Sequence, residues 1–434
     1  MKSRICILVS AALLCVSQLP QAALAADEDA RISDLERKLE QSLQLIQQLS
    51  ARVKQLEAGA AAGGETAAAQ APQAPQAPQV PQAPQETAEM HQQMGQMGGM
   101  ESASAGVPFH GFADVGGGTR QGEPKGFTTG SLDMYLAPQF SDRVRGLFEA
   151  LIEFDDSGEP GIDLERAQIG YAFRDEFTLW GGRFHTPFGY YNTAFHHGQL
   201  MQTSIRKPRF LDFEDKGGVM PSHTVGVWAT GKFRLGESKF AYDAFVGNSP
   251  SIVDNTLDMN NIGSRNHNAS TGLNVGYLGA GGSLKVGGHY YRARVADDSD
   301  PADVTDMSFV GPYAVYDDGL WEAIYEYYRY NNDNVISNTG APTGDHRSFA
   351  WFAQLGRRFG PWMPYARYEK ASFTQADNYF SLLANGRSYT RELGGLRYDV
   401  NPRAAFTVEL NHTKQDDLSL PDYNEFRFQY AIGF

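Results

Sequence analysis

The stretch MHQQMGQMGGM holds a group of soft metal ligands, with His91, Met94, Met97 and Met100 spaced three residues apart. Thioether sulfur and imidazole nitrogen are ligands that suit Cu(I). The glycines between them and the single histidine are equally typical of a low-complexity flexible joint. Copper binding at this stretch therefore stays an open hypothesis, and we predict no resident metal site and no cofactor for the chain.

The other reactive residue types do not form a recognisable catalytic group. Both cysteines, Cys6 and Cys15, lie within the first 25 residues, and there is no C-x-x-C-H motif for covalent haem. A lipase-type hydrolase would need a serine or threonine, a histidine and an orienting group. The histidines His196, His197 and His223 instead fall in a predicted loop without such partners. We predict that the protein is not an enzyme.

Polar and apolar residues alternate along much of the chain, as in DRVRGLFEALIEF. Its apolar parity holds Val144, Phe148, Ala150, Ile152 and Phe154, and its polar parity holds Arg143, Arg145, Glu149 and Glu153. A period of two indicates a β-strand with two different faces. Sixteen such segments are predicted, at 109–116, 127–139, 143–154, 164–173, 176–184, 223–233, 239–247, 270–278, 283–295, 307–316, 320–330, 347–358, 362–374, 388–400, 403–414 and 422–434.

The connections between these segments alternate in length. Those after even-numbered segments are tight, such as RDE, GAGG and NP, and those after odd-numbered segments are longer and polar. Short turns at one end, long loops at the other and an even strand number are typical of transmembrane β-barrels. We predict an all-β fold, a sixteen-stranded antiparallel transmembrane β-barrel, with a soluble β-sandwich as the alternative.

The polar parity of the predicted strands supplies candidates for the lining of a pore. The basic candidates are Arg143, Arg145, Lys285, Arg358, Arg397 and Arg427, and the acidic candidates are Asp133, Glu149, Glu153, Glu322, Glu326, Asp399 and Glu409. Rings of one sign would select strongly by charge, whereas these signs are mixed. The segment at 176–184 has ambiguous parity, so the direction of Arg183 is left open.

The longest connection runs from His185 to about His223 and is rich in aromatic residues. It carries Arg206, Lys207 and Arg209, followed by Asp212, Glu214 and Asp215. A long loop with so much apolar content is not expected to stay in water. We predict that it folds into the barrel, buries its aromatic residues against the wall and forms a constriction.

The N-terminal quarter of the chain has a different composition. Residues 1–25 have a basic start, an apolar run and a small-residue cleavage site, which predict a secretory signal peptide. Residues 26–58 place apolar residues at heptad positions and predict a coiled coil that sets an oligomer, with a single amphipathic helix as the alternative. Residues 59–107 are an Ala/Pro/Gln-rich and Met-rich linker, and residues 108–434 are the predicted barrel.

The segment LWGGRFHTPFGYYN and the terminal Phe434 carry a family resemblance. Residues 109–434 resemble the sixteen-stranded porins of the phosphate-selective porin O and P group, whose GR-x-x-x-PFG pattern is matched by Gly182, Arg183, Pro187, Phe188 and Gly189. The N-terminal segments are similar to those of trimeric porins with a periplasmic coiled-coil stalk. Unlike the phosphate-selective members, the long loop is not lysine-rich.

The resemblance implies a location, partners and a function. It implies the outer membrane of a Gram-negative bacterium, with the N-terminal segment in the periplasm, contact with lipid and lipopolysaccharide, and a homo-oligomer, with a trimer favoured. Phe434 would be the signal read by the barrel assembly machinery. The expected function is a passive diffusion channel for small hydrophilic solutes with a slight preference for anions. The alternative is a sheath or metal-handling part of an electron-conduit or copper-export complex, and the net charge of −14 argues against nucleic-acid binding.

Overall fold

The structure, a computed structural model, describes residues 109–434 except 122–124, 155–159, 196–198, 215, 237, 259–267, 298–302 and 337–340. The predictions for residues 1–108, which are the signal peptide, the coiled coil, the linker and the candidate copper ligands, lie outside the described residues. The same holds for His196, His197 and Asp215. Within the described ranges, no helix is long and apolar enough to cross a membrane.

The described residues form one antiparallel barrel. Its sixteen wall strands are β1 (Phe109–Arg120), β3 (Ser131–Leu136), β4 (Val144–Phe154), β5 (Pro160–Arg174), β6 (Phe177–His185), β7 (His223–Leu235), β8 (Ser238–Asn248), β11 (Ala269–Gly279), β12 (Leu284–Asp297), β13 (Asp303–Asp317), β14 (Trp321–Ile336), β15 (Ala341–Arg357), β16 (Trp362–Ser372), β17 (Tyr389–Asn401), β18 (Ala404–Gln415) and β19 (Tyr423–Gly433). Each of the sixteen predicted segments overlaps one wall strand, so the predicted fold class is confirmed.

Shorter elements lie in the connections. β2 (Gly126–Thr128) pairs with β1 beside β3, and β9 (Ser251–Val253) forms a hairpin with β10 (Thr256–Asp258). The helices are α1 (Tyr191–Ala194) and α2 (Asn378–Leu382), with 3₁₀ turns at Arg209–Leu211 and Ala280–Gly282.

The barrel closes where its first and last strands meet. β1 pairs antiparallel with β19 from Phe112↔Gly433 to Arg120↔Glu425. The backbone amides of Gly111 and Phe434 each donate to the other residue's carbonyl oxygen, at 3.1 and 3.0 Å. Closure leaves the wall without a free edge, so the ladder satisfies the backbone groups that a hydrocarbon environment could not.

The two ends of the barrel differ as the sequence predicts. At one end the connections are tight, such as 175–176 between β5 and β6 and 402–403 between β17 and β18. At the other end lie the long connections, including 186–222, 249–268 and 373–388. β1 starts and β19 finishes at the tight end.

The two faces of the wall also differ. Large apolar side chains on alternate strand positions are exposed on the outside, among them Val115, Ile169, Val275, Val310, Leu355 and Leu410. In β19, Phe426, Tyr430 and Ile432 are exposed, whereas Glu425 and Gln429 are buried. The outer surface of the barrel is therefore the apolar surface that lipid requires, and the lumen carries the polar residues.

Candidate functional site

One hairpin of the wall turns into the lumen. β5 pairs with β6 only as far as Arg183, whereas β6 and β7 stay paired to the end of the hairpin at His185↔His223. Gly182 lies where the hairpin departs, with φ of 131°. A Cβ at Gly182 would overlap the carbonyl oxygen of Ala167, so this close approach requires glycine. The connection that follows, residues 186–222, is called the inner loop below.

Carboxylates of the wall accept hydrogen bonds from the backbone of the inner loop. Glu326 of β14 accepts from the backbone N–H groups of Tyr190 and Tyr191, at 3.1 and 2.5 Å. Glu409 of β18 accepts from the N–H of Ile205, at 3.0 Å. A buried loop has no strand ladder to pair its N–H groups, and these carboxylates supply the missing acceptors.

Arginines of the wall pair with carbonyl groups of the same loop. Arg397 of β17 donates to the carbonyl oxygen of Leu200 at 2.8 Å. Arg367 of β16 donates to the carbonyl oxygens of Arg206 and Lys207, at 2.7 and 3.1 Å. Hydrogen bonds with one ionised partner contribute about 1.5–3 kcal/mol each. Charged residues on the wall therefore hold the inner loop at several points along its length.

Aromatic packing joins the inner loop to one side of the barrel. Phe188 packs edge-on against Phe309 of β13, with ring centroids 5.4 Å apart. Phe210 packs against Tyr328 of β14, also at 5.4 Å. A second long connection, residues 373–388, also contacts the inner loop. The hydroxyl of Tyr379 in α2 donates to the carbonyl oxygen of Val219 at 2.7 Å. The predicted burial of the loop's aromatic residues against the wall is what the structure shows.

Some predicted pore-lining residues lie against the inner loop. Besides Glu326, Arg397 and Glu409, Glu322 accepts a hydrogen bond of 2.8 Å from the hydroxyl of Thr203. Lys285 of β12 places its ammonium 5.2 Å from the ring centroid of Tyr190. These wall charges thus contact the loop.

Others lie near the tight end of the barrel. Arg358 forms an ion pair with Asp399, which also pairs with the loop-contacting Arg397. Arg143 lies in the connection before β4, and its guanidinium donates to the hydroxyl of Tyr171 at 3.4 Å. Tyr171 belongs to the exposed parity of β5.

The remaining predicted lining residues face the lumen from β3, β4 and β19. Asp133 and Glu149 are buried, and Glu149 forms an ion pair with Arg166. Glu153 pairs with Lys216 of the inner loop at 2.6 Å. Arg145 lies partly buried on the same parity of β4 as Glu149 and Glu153, and Arg427 donates to Glu425 at 2.6 Å.

The charged residues predicted to form the constriction occupy different environments. Arg206 keeps 36% of its side chain exposed and lies 3.9 Å from Glu425 of the wall. Arg209 donates to the side-chain oxygens of Gln415 and Asn385, at 3.2 and 3.4 Å.

Its neighbours are more enclosed. Lys207 is buried with its ammonium 3.6 Å from the ring centroid of Phe213, and burial lowers the pKa of Lys207 to about 7. Asp212 accepts a local hydrogen bond from the N–H of Phe213, and Glu214 accepts from the N–H of His223 at 2.9 Å.

Several residues of the site were missed at the sequence level. Arg367 and Glu369 form a fully buried ion pair of 2.9 Å on β16. Arg391 of β17 donates to the hydroxyl of Tyr423 at 2.9 Å, and Arg120 of β1 lies over the same ring at 3.9 Å. Arg367 and Glu369 flank the outward Tyr368 within the predicted segment 362–374, so parity was the signal that could have found them, whereas Arg120 lies beyond the end of the predicted segment 109–116.

No family model matches the chain, and no curated protein matches its sequence. Among solved structures, an anion-selective porin from Comamonas acidovorans aligns with a TM-score of 0.52 and 11% identity, over 76% of this chain and 99% of that one. OmpTdeltaL8, a loop-deletion mutant of an outer membrane protein of Vibrio cholerae, gives 0.51 and 14%, over 76% and 99%. Salmonella typhi OmpF in complex with daunomycin gives 0.50 and 12%, over 76% and 97%. The chain therefore has a porin-like sixteen-stranded transmembrane β-barrel fold.

Proposed function

We propose that the protein is an outer-membrane porin, a passive diffusion channel for small hydrophilic solutes. The observation that carries this proposal is a set of charged side chains that face the lumen and still meet solvent. Arg206, Lys216 and Arg427 keep 36%, 42% and 24% of their side chains exposed. Charged groups inside a barrel with an apolar outer surface need water around them, so a hydrated passage runs beside the inner loop.

The charge along this passage favours a slight preference for anions. Arg120, Arg391 and Arg427 lie on β1, β17 and β19, which together with β18 form one stretch of the wall, and Arg206 faces them from the inner loop. Glu425 is the carboxylate that pairs with both Arg206 and Arg427. These four positive charges exceed the three inward carboxylates of β1, β18 and β19, which are Asp114, Glu409 and Glu425, and the excess attracts small anions.

The same geometry argues for a general anion path rather than a phosphate trap. Of the four basic residues in the inner loop, Lys207 is buried, and Arg209 is engaged by Gln415 and Asn385. Only Arg206 and Lys216 combine positive charge with substantial exposure. The resemblance to the phosphate-selective porins therefore extends to their architecture, and we do not carry their phosphate specificity over.

The proposal includes location and assembly. The apolar outer wall fits the outer membrane of a Gram-negative bacterium, in contact with lipid and lipopolysaccharide, with the tight end and the N-terminal segment in the periplasm. We propose a homo-oligomer, with a trimer favoured, joined through the coiled-coil sequence at residues 26–58. Recognition of the last strand and Phe434 by the barrel assembly machinery would precede insertion.

Planar-bilayer recording of the purified protein tests the proposal. Insertion should give stepwise, ohmic current increments, and the reversal potential in a KCl gradient should take the sign of a mildly anion-selective channel. Phosphate and small organic acids should change the reversal potential only modestly. An absence of conductance steps would refute the channel itself, whereas a cation-selective reversal potential would refute only the anion preference.

A further inference from the structure

Two histidines and a glutamate meet where the inner loop leaves the wall. His185 is the last residue of β6, His223 is the first of β7, and the two are register partners with ring centroids 5.5 Å apart. Glu165 of β5 completes the group. One ligand atom from each of the three residues lies within 4.8 Å of the other two. All three side chains are largely buried, with 10%, 4% and 6% exposure for His185, His223 and Glu165.

A β-bulge directs Glu165 into this position. The register of β4 and β5 passes from Glu149↔Arg166 to Ala150↔Leu164, so Glu165 is the extra residue on its strand. An extra residue breaks the strict alternation of faces and re-aims a side chain. As a result, the carboxylate of Glu165 lies 2.5 Å from Nε2 of His223.

Each imidazole also has a second carboxylate close to its ring. Glu214 Oε2 lies 3.2 Å from Nδ1 of His223, and Glu149 Oε2 lies 3.4 Å from Nε2 of His185. In metal sites, a ligating histidine commonly has its other ring nitrogen bonded to a carboxylate, which fixes the tautomer and the ring orientation. For His223 this arrangement leaves Nε2, the atom nearest Glu165, as the ligand.

We propose that Glu165, His185 and His223 form a binding site for a divalent transition-metal ion, with Zn²⁺ as the reference ion. Imidazole nitrogen and carboxylate oxygen are ligands that Zn²⁺ accepts at about 2.0–2.2 Å, and three protein ligands leave a fourth position for water. Ligand atoms in a tetrahedral site lie about 3.3 Å apart. The Glu165 and His223 atoms, now 2.5 Å apart, would have to separate, and atoms as far apart as 4.8 Å would have to approach by up to about 1.5 Å, to enclose the ion.

The charges around the group are compatible with a cation. Glu149, Glu165 and Glu214 supply three carboxylates. Three positive groups are nearby, because Arg166 pairs with Glu149, Lys207 interacts with Glu214 and Glu165, and Arg183 donates to the carbonyl oxygen of Glu165. Asp163, beside Glu165, adds a fourth carboxylate. With neutral imidazoles, the group carries a net negative charge before the metal binds.

A bound metal would tie β5 to both ends of the inner loop. Without it, this junction is held by hydrogen bonds and ion pairs, among them the 3.1 Å bond from Arg183 to the carbonyl oxygen of Glu165. Coordination would add a stronger link at the point where the loop enters the lumen. The site would thus be structural, acting on the position of the constriction.

Zn²⁺ titration of the full-length chain tests the site. The protein is purified in detergent without a polyhistidine tag, stripped with a chelator and titrated against a chromophoric indicator. The variants His185→Gln and His223→Gln are compared with His412→Gln, which removes an exposed imidazole on β18 that contacts Asn424. Because residues 90–100 carry their own candidate ligands, the difference between variants is the result that counts.

We expect both site variants to lose one Zn²⁺ equivalent per chain, or to bind it at least tenfold more weakly, while His412→Gln behaves like the wild type. Equal stoichiometry and affinity in all four proteins would overturn the proposal.

Should a histidine variant fail to fold, the visible absorption of bound Co²⁺ tests the site instead. The folded wild type should show the strong visible absorption of a tetrahedral site, and Glu165→Gln should reduce it. No such absorption, or no reduction, would overturn the site. Neither measurement involves conductance, so the outcome is independent of the channel proposal.

Discussion

The guanidinium of Arg367 on the barrel wall lies 2.7 Å from the backbone carbonyl oxygen of Arg206 in the inner loop, 161 residues away in sequence. Arg367 is fully buried and also pairs with Glu369, which in turn accepts a 2.9 Å hydrogen bond from the N–H of Arg209. Burying charge is costly unless it is paired and hydrogen-bonded. Here the paired charges replace the strand ladder that the loop backbone lacks.

Replacing Arg367 by methionine should therefore loosen the inner loop and destabilise the barrel. The change removes several hydrogen bonds and leaves the buried carboxylate of Glu369 without the guanidinium that pairs with it, a loss of about 3–5 kcal/mol. Heat-dependent electrophoretic mobility measures barrel stability, and current noise in single channels measures loop motion. Arg357→Met is the matched control, because Arg357 is exposed on β15. Equal melting and equal noise in both variants would contradict this role.

Substitution by alanine should affect the stability of the barrel differently at two glycines of the LWGGRFHTPFGYYN segment. Gly189 has a φ of 61°, and a Cβ there would overlap Glu326 Oε2 and Tyr328 Oη. Gly181 has no neighbouring atom within 4 Å of such a Cβ. Gly189→Ala should thus disrupt the Glu326 anchor at a cost of about 1–3 kcal/mol, whereas Gly181→Ala should stay within about 0.5 kcal/mol of the wild type. Thermal unfolding of the folded barrel measures both, and similar shifts would argue against the anchor.

The lowered pKa of Lys207 predicts that the ion selectivity of the channel depends on pH. Burial lowers its pKa from 10.5 to about 7, so the ammonium is charged below pH 7 and neutral above it. A unit charge about 15 Å from a permeating anion stabilises that anion by about 0.5–1 kcal/mol at an effective dielectric constant of about 20–40. The preference for anions should therefore rise about twofold or more between pH 8 and pH 6. Reversal potentials at the two pH values measure it, and Lys207→Met should show a smaller change. An equal change in both proteins would exclude Lys207 as the source.

The side chain of Phe434 should matter for assembly and not for conduction. Its backbone closes the barrel through Gly111, while its ring lies on the outer face with 47% exposure, 6.3 Å from the ring of Phe109. Phe434→Ser keeps the closing hydrogen bonds and removes only the ring. We expect severalfold less folded protein in the membrane fraction and an unchanged single-channel conductance. Phe406→Ser, which removes another outward ring from β18, should lower the yield less. A changed conductance would instead assign the ring to the channel.

The strands of the fold could be predicted because each wall strand separates lipid from the lumen. That separation makes apolar and polar residues alternate with a period of two, and the alternation can be recognised even in short segments such as FRFQYAIGF. The prediction was ambiguous at β6 for a physical reason. The end of the hairpin leaves the wall after Gly182. The side chains of Phe184 and His185 are therefore no longer divided between a lipid-facing and a lumen-facing side.

The contacts of the site could not be predicted in the same way. Parity identifies Glu409 and Arg397 as inward-facing, but it cannot show that they bind Ile205 and Leu200 about 200 residues away. Such partners are set by how the inner loop folds in three dimensions. The bulge at Glu165 shifts the outward apolar parity of β5 from Ile162 and Leu164 to Ile169 and Tyr171. That shift does not show which side chains Glu165 meets, so the grouping with His185 and His223 becomes visible only in the structure.

The proposed role of the inner loop, to line and narrow an open channel, is tested most directly by chemical modification at Arg206. The only cysteines, Cys6 and Cys15, lie in the predicted signal peptide, so Arg206→Cys introduces the single thiol of the mature chain. A negatively charged methanethiosulfonate added to open single channels should lower the conductance in discrete steps, with Leu410→Cys on the outer face as the unreactive control. Conductance steps in Arg206→Cys alone are the predicted result. A channel whose current is unchanged, although mass spectrometry shows the thiol to be modified, would contradict this role of the inner loop.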